Sequence, residues 1–183
     1  MKQLYGSFAT LLALACAACT QAPPADNKEA LAKAAADAQA KDVADIRALE
    51  DRFMTAFKAK DLNAIMACYV PDESLLVFDA VPPRQYIGAK AYRKDFEDFI
   101  ALFPKGFEAD MTDLDVTAGG GDVAYGHSIQ HGIGTLKNGK KMEFTVRVTD
   151  GYKKVNGQWL IAHEHVSVPV DIMTAKADMM SKM

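Results

Sequence analysis

Two histidines that are two residues apart carry the strongest chemical signal in this chain of 183 residues. His163 and His165 lie in the segment 159–169, which follows the turn pair Asn156-Gly157 and is predicted to be the last strand of a sheet. Because side chains alternate across a strand, one face is predicted to carry Trp159, Ile161, His163, His165 and Ser167. Rings, imidazoles and a hydroxyl on one face are typical of a pocket wall, so we predict a cavity over this face.

His163 and His165 allow three kinds of chemistry. Two imidazoles on one face of a strand lie roughly 6.8 Å apart, close enough to share a metal ion. A third ligand would have to come from His127 or His131, and Glu164 is predicted to point to the opposite face. We therefore predict no metal ion and no cofactor. A hydrogen-bonded histidine pair is the favoured interpretation, and general acid–base catalysis stays open because imidazole titrates near neutral pH.

Further polar candidates come from earlier segments. Tyr125 and His127 alternate on one face of a predicted strand, and Arg147 lies in the strand that follows it. Asp79 ends a short apolar strand, where it is a candidate base or a surface residue. An arginine that points into a cavity needs a carboxylate partner, which would be Asp79 or an acidic ligand. The candidate ligand-binding residues are Tyr69, Asp79, Tyr125, His127, Arg147, Trp159, His163 and His165.

Whether Arg147 joins the histidines depends on the register of the last hairpin. A regular two-residue turn at Asn156-Gly157 places Val148 opposite His165 and leaves Arg147 on the other face. One β-bulge near Gly151 would instead place Arg147 opposite His165. Because glycine is a common bulge residue, we predict the second arrangement.

The elements that would position these residues are helices followed by strands. Apolar residues at helical spacing predict one helix from about Asp42, a second capped by Asp61, and a third over 89–103. The apolar stripes are Ile46, Leu49, Phe53 and Phe57 on the first helix, and Tyr92, Phe96, Phe99 and Phe103 on the third. From residue 107 onward, turn pairs separate long strands. We predict an α+β fold, a cone of about three N-terminal helices packed on a strongly curved antiparallel sheet.

The start of the chain predicts a compartment. Lys2 and the short apolar run 8–18 are typical of a secretory signal, and the run is too short to span a membrane. The residues around Cys19 resemble a bacterial lipobox, with Cys16 as the competing site and simple cleavage as the alternative. This resemblance implies that Cys19 is acylated and that its lipid anchor makes the protein a periplasmic lipoprotein of the outer membrane.

These signals divide the chain into four parts. The signal peptide with its lipobox spans 1–19, and an Ala-rich tether, disordered or loosely helical, spans 20–41. One domain spans 42–170, and a C-terminal tail that is predicted to form a short helix spans 171–183. The net charge of −3 and the lack of a basic cluster predict no nucleic-acid partner.

The predicted order of elements, together with three short motifs, resembles a known family. The motifs are Arg147-Val148-Thr149, the segment 153–159 with its Gly-x-Trp end, and His163-Glu164-His165-Val166-Ser167. Over roughly 42–170 the chain is similar to the SnoaL-like and ketosteroid-isomerase-like group of the nuclear transport factor 2-like superfamily. The resemblance implies a cone-shaped fold with an internal pocket and a homodimer that forms through the sheet.

Steroid isomerase chemistry is not expected from this resemblance. That reaction needs a carboxylate base, for which Asp79 is the candidate, and an oxyanion hole made of a tyrosine and a protonated aspartate. The tyrosine position falls near Phe53, which has no hydroxyl, and the aspartate falls near Asp150. Members of the superfamily include enzymes and binding proteins, so the fold does not fix the function.

We therefore expect an envelope-anchored domain whose pocket binds a small, largely apolar ligand, with an acidic group on the ligand if Arg147 faces it. The alternative is a small-molecule enzyme, such as an isomerase, dehydratase or hydrolase, that uses His/Asp acid–base catalysis.

Overall fold

The structure is a computed structural model that describes residues 25–180. The predicted signal peptide, with Cys16 and Cys19, lies outside the described residues, as do 181–183. No helix in the described part combines the length and the apolar character needed to cross a bilayer.

Three helices and eight strands follow one another in the described part of the chain. The helices are α1 (Ala25–Ala59), α2 (Leu62–Met66) and α3 (Ala89–Leu102). The strands are β1 (Leu76–Phe78), β2 (Tyr86–Ile87), β3 (Phe107–Ala118), β4 (Val123–Thr135), β5 (Lys141–Val155), β6 (Gln158–Ser167), β7 (Val170–Asp171) and β8 (Lys176–Ala177). Three helices and a mostly antiparallel sheet confirm the predicted α+β class.

The Ala-rich segment is helical and continuous with the first core helix. Residues 27–41 of α1 are exposed because they carry almost no large apolar side chain to bury. Ion pairs one helical turn apart, such as Lys33 with Asp37 at 2.7 Å, support this helix at its surface. Gln39 also donates a hydrogen bond to the Ala118 carbonyl, 2.5 Å away. Burial begins at Asp42, where the predicted domain begins.

The helices pack their predicted apolar stripes on one face of the sheet. On α1, Ile46, Leu49 and Phe53 are buried, and on α3 Tyr92 and Phe96 are. The Asp61 side chain caps α2, accepting hydrogen bonds from the Asn63 and Ala64 backbones. The aromatic rings of α1 and α3 contact one another, with the Phe53 and Phe96 centroids 6.2 Å apart. This aromatic layer forms the helical wall of the cone.

The main sheet has six strands in the order β2-β1-β6-β5-β4-β3. Neighbouring strands are antiparallel except β1 and β6, which run parallel. The register between β5 and β6 shifts once, because Gly151 pairs with His163 while Tyr152 pairs with Ile161. Ala162 is the extra residue, so the β-bulge lies in β6 opposite Gly151. After this bulge, every side chain of β6 lies on the face opposite to that expected from simple alternation.

The prediction of a helix in the C-terminal tail is wrong, because the tail forms a hairpin of β7 and β8. Asp171 accepts hydrogen bonds from the backbones of Met173 and Thr174, which stabilises the turn between the two strands. Beyond the hairpin, the Met179 carbonyl accepts a hydrogen bond of 2.7 Å from the Thr145 backbone of β5. The tail thus accepts the hydrogen bond of a β5 backbone amide that β6 is too short to reach. This contact places Met179 beside β5.

Candidate functional site

A cavity of about 380 Å³ lies between the inner face of the sheet and the helices α1 and α3. Its apolar walls include Phe53, Phe57, Phe96, Phe99, Phe144 and Val148. Its polar lining consists of Asp79, Tyr92, Asp95, Asp98, Gln130, His131 and Glu164. The cavity therefore joins a large aromatic surface to a small set of mainly acidic groups.

Glu164 is the most deeply buried acid of this lining, with 4 % of its surface exposed. Tyr69 donates a hydrogen bond to its Oε2 at 2.7 Å, and Tyr92 donates another to its Oε1. Burial raises the pKa of Glu164 to about 7, although the two tyrosine hydrogen bonds act to lower it. A carboxyl held in this way can exchange a proton with the cavity near neutral pH, through the Tyr92 hydroxyl that also lines it.

Asp79 and Asp95 form a second acidic group in the cavity wall. Asp79 follows β1 and Asp95 lies on α3, and both residues line the cavity. The Tyr86 hydroxyl donates a hydrogen bond of 2.6 Å to the Asp95 carboxyl group. Burial, followed by the charge of Asp95, raises the pKa of Asp79 to about 6. Asp79 can therefore act as a proton acceptor near neutral pH.

Further buried acids lie behind the cavity lining. Asp150 lies opposite Glu164 in the register of β5 and β6. Burial raises the pKa of Asp150 well above its usual range. Glu50 accepts a hydrogen bond of 2.8 Å from Tyr152, and burial raises its pKa to about 7. Asp150 Oδ1 and Ser128 Oγ are buried with no hydrogen-bond partner among the described residues. The cone thus encloses a series of protonatable groups that extends from the cavity to α1.

The described residues contain no group of three or more His, Cys, Asp or Glu side chains that could hold a metal ion. Cys68 is buried, and burial raises the pKa of its thiol to about 11, so it is protonated at neutral pH. The ionisable groups that line the cavity are carboxyl, phenol and imidazole groups, all of which can exchange protons.

Comparison with known proteins identifies the fold. Residues 46–171 match the SnoaL-like domain family. The chain belongs to the SnoaL-like family. It is 30 % identical to a nuclear transport factor 2-like protein of unknown function from Pseudomonas putida KT2440, with a TM-score of 0.70 over 79 % of this chain and 98 % of that one. A comparison with curated protein sequences finds no match.

More distant solved structures share the fold alone. A proposed scytalone dehydratase from Novosphingobium aromaticivorans DSM 12444 has a TM-score of 0.65 at 16 % identity, covering 81 % of this chain and 99 % of that one. A ketosteroid isomerase-like protein from Erwinia carotovora atroseptica has a TM-score of 0.57 at 20 % identity, covering 68 % of this chain and 94 % of that one. The predicted membership of the nuclear transport factor 2-like superfamily is confirmed.

The prediction that His163 and His165 line the cavity of this SnoaL-like domain is wrong. The bulge at Ala162 moves both histidines to the outer face of the sheet and turns Glu164 and Val166 inward. His163 Nδ1 lies 2.9 Å from the Leu76 carbonyl of β1, and both imidazoles contact the Phe78 ring edge-on. The histidine pair therefore supports strand packing outside the cavity.

Arg147 shares a face with His165, as predicted, but that face is the outer one. Thr149 pairs with His165 and Arg147 pairs with Ser167, because the extra residue lies in β6 and not in β5. Arg147 is exposed, so it contributes no positive charge to the cavity.

Tyr125 and His127 are likewise exposed on the outer face of β4, so they do not line the cavity. Trp159 is buried outside the cavity, where its indole donates a hydrogen bond of 3.1 Å to Asp42. Tyr69 contacts the site through Glu164, and Asp79 lines the cavity itself. Of the eight candidates, Asp79 is thus the one that lines the cavity. Tyr69 reaches the site indirectly, through its hydrogen bond to Glu164.

Three site residues were missed from the sequence. Tyr92 belongs to the apolar stripe of α3, which predicts a core role, and Asp95 lies off that stripe beside the charged residues Arg93 and Lys94. Glu164 was placed on a strand face whose other members are apolar, Leu160, Ala162, Val166 and Val168. One acid on an otherwise apolar face is itself a sign of a buried, hydrogen-bonded carboxyl, and this signal could have identified Glu164.

Proposed function

We propose that this SnoaL-like domain binds a small, largely apolar molecule that carries no acidic group. The observation that supports the proposal most is the aromatic-walled cavity of about 380 Å³. Ligand sites in proteins typically occupy roughly 300–1,000 Å³ and combine apolar walls with a few polar groups, as this cavity does.

The charge of the cavity argues against the acidic ligand considered from the sequence. That expectation depended on Arg147, which lies on the outer face of the sheet. The ionisable groups of the lining are Asp79, Tyr92, Asp95, Asp98, His131 and Glu164. An anionic ligand would lie beside carboxylates with no lysine or arginine in the described lining to balance it.

The test is binding of an uncharged fluorescent naphthalene, N-phenyl-1-naphthylamine, whose emission rises in apolar surroundings. We expect saturable binding that Val166→Trp lowers at least tenfold, because the indole fills cavity space. Val123→Trp is the matched control, because Val123 is 70 % exposed and lies outside the cavity. Equal binding by both variants would place the dye elsewhere and contradict the proposal.

A second candidate function is acid–base catalysis, as in an isomerase or dehydratase. The specific observation in its favour is that Asp79 and the Tyr92 hydroxyl line the same cavity, and burial raises the pKa of Asp79 to about 6. A base whose pKa lies near the working pH, beside a phenol donor, suits abstraction of a proton next to a carbonyl group. The mechanism would use Asp79 as acceptor. A protonated Glu164 would donate to the Tyr92 oxygen, which leaves the Tyr92 hydroxyl proton for the carbonyl oxygen.

Deuterium exchange at the α-carbon of 2-tetralone, a bicyclic apolar ketone, tests this second candidate by NMR in D₂O. We expect exchange above the buffer rate to increase as pH rises through about 6, because Asp79 must be ionised to accept a proton. Asp79→Asn should reduce the enhancement at least a hundredfold. Enhancement that survives this substitution would exclude Asp79 as the base.

The envelope location and the homodimer are also proposed for this chain. The lipobox-like residues around Cys19 support the lipid anchor, and the mass of the mature N-terminal peptide tests it.

Exposed apolar side chains on the outer sheet face, Val123 at 70 % and Tyr125 at 57 %, support a dimer through that face. Light scattering that gives a monomer mass would exclude the dimer.

A further inference from the structure

The Asp79–Asp95 pair is a negative group in the cavity wall without a basic partner in the described chain. Asp98, nearby on α3, is paired with Lys94 at the surface. None of the ion pairs among the described residues includes Asp79 or Asp95. Tyr86 supplies a hydrogen bond to Asp95 but no charge. The pair is therefore available to a positive group that enters with a ligand.

Two carboxyl groups that line one cavity favour a cation beside them, because their negative charges repel each other. A divalent metal ion is a poor match, since calcium takes six to eight oxygen ligands and the described residues form no metal-binding group. An organic ammonium needs fewer partners, because each N–H donates one hydrogen bond to a carboxylate oxygen. The pair thus fits an ammonium group better than a metal ion.

The rest of the cavity fits the apolar part of such a molecule. Phe53, Phe96, Phe99 and Tyr92 line the same cavity as the acidic pair. Aromatic faces attract a cation through their negative π-clouds and bury hydrocarbon at the same time. A ligand with an aromatic or aliphatic body and a protonated amine would use both parts of the lining.

We propose that the cavity selects apolar amines, with the ammonium bound between Asp79 and Asp95 and the hydrocarbon body against the aromatic wall. This inference rests on the proposed ligand-binding function and names its ligand class.

Displacement of N-phenyl-1-naphthylamine by three probes of the same shape tests this preference at neutral pH. The probes are 1-naphthylmethylamine, 1-naphthalenemethanol and 1-naphthoate, which present a positive, a neutral and a negative group. We expect the amine to displace the dye at a concentration at least tenfold below the alcohol, and the acid to be the weakest. An alcohol that binds as tightly as the amine, or an acid that binds best, would overturn the inference.

Substitutions then locate the preference. Asp95→Asn should reduce the amine-to-alcohol ratio to within threefold, because the amide carries no negative charge to hold the ammonium. Asp113→Asn removes the same charge from an exposed position outside the cavity and should leave the ratio unchanged. Equal ratios in these two variants would overturn the assigned ammonium position. If the dye and all three probes fail to bind, the proposed function fails as well, whereas binding of the alcohol without a preference for the amine removes the ligand class alone.

Discussion

Replacement of Glu164 with leucine is expected to lower the free energy of unfolding by about 3 to 5 kcal/mol, because it removes the acceptor of two buried hydroxyl groups. Tyr69 and Tyr92 both donate to this carboxyl and are almost fully buried, at 1 % and 2 % exposed. Each hydroxyl left without a partner in the core costs about 1 to 3 kcal/mol. Urea unfolding at pH 7, followed by tryptophan fluorescence, measures the loss.

Two further variants separate the hydrogen bonds from the packing. Glu164→Gln keeps the shape and offers an acceptor to one phenol and a donor to the other, so a loss of only about 1 kcal/mol is expected. Adding Tyr69→Phe and Tyr92→Phe to Glu164→Leu removes the unpartnered hydroxyl groups and should recover part of the loss. If the leucine and glutamine variants unfold at the same urea concentration, the tyrosine hydrogen bonds contribute nothing measurable.

The same Glu164 shows where prediction from the sequence ends. The helix stripes, the Asp61 cap and the order of elements along the chain follow from apolar spacing and turn pairs, which act locally, and the structure agrees with them. The face of Glu164 depends on one unpaired residue, Ala162, and no local propensity shows that the extra residue lies in β6. Because side chains alternate with a period of two, a single extra residue exchanges the inner and outer sets.

Gly151 illustrates how close the sequence came to the correct register. A bulge near this residue was predicted, and the structure has one opposite it, on the partner strand. A Cβ atom at Gly151 would lie 3.3 Å from the His163 Cβ, so glycine is suited to the close approach of the bulged strand. The glycine marked the position of the irregularity, and only the three-dimensional pairing shows which strand carries the extra residue.

The misassigned residues share a further physical reason. Tyr92 and Asp95 lie on α3 three residues apart, and both line the cavity although only one belongs to the apolar stripe. Asp95 accepts a hydrogen bond from Tyr86, which lies outside α3 on β2. Helical periodicity predicts which side chains face inward and which face outward. It does not predict whether a polar side chain at the boundary between the two faces turns toward a polar partner in the cavity wall.

The free energy of unfolding is expected to be highest near pH 4.5 and to fall as the pH rises toward 8. Burial raises the pKa of Glu164 and of Glu50 from 4.5 to about 7 in the folded protein. The folded state therefore binds protons more tightly than the unfolded chain across this window. The stabilisation is complete below about 4.5 and is lost as the pH rises through about 7. Each group alone would account for about 3 kcal/mol, since one pKa unit corresponds to about 1.4 kcal/mol.

Urea unfolding at intervals between pH 4.5 and 8 gives this profile, and the difference between variants assigns it. Glu164→Gln and Glu50→Gln should each flatten the slope, because glutamine does not titrate. His131, whose pKa is raised by hydrogen bonds to Glu143 and Asp110, titrates with the same sign but is present in both proteins of each comparison. A parallel slope in the wild-type and Glu164→Gln proteins would show that Glu164 stays ionised in the fold, and it could not then supply a proton to the cavity.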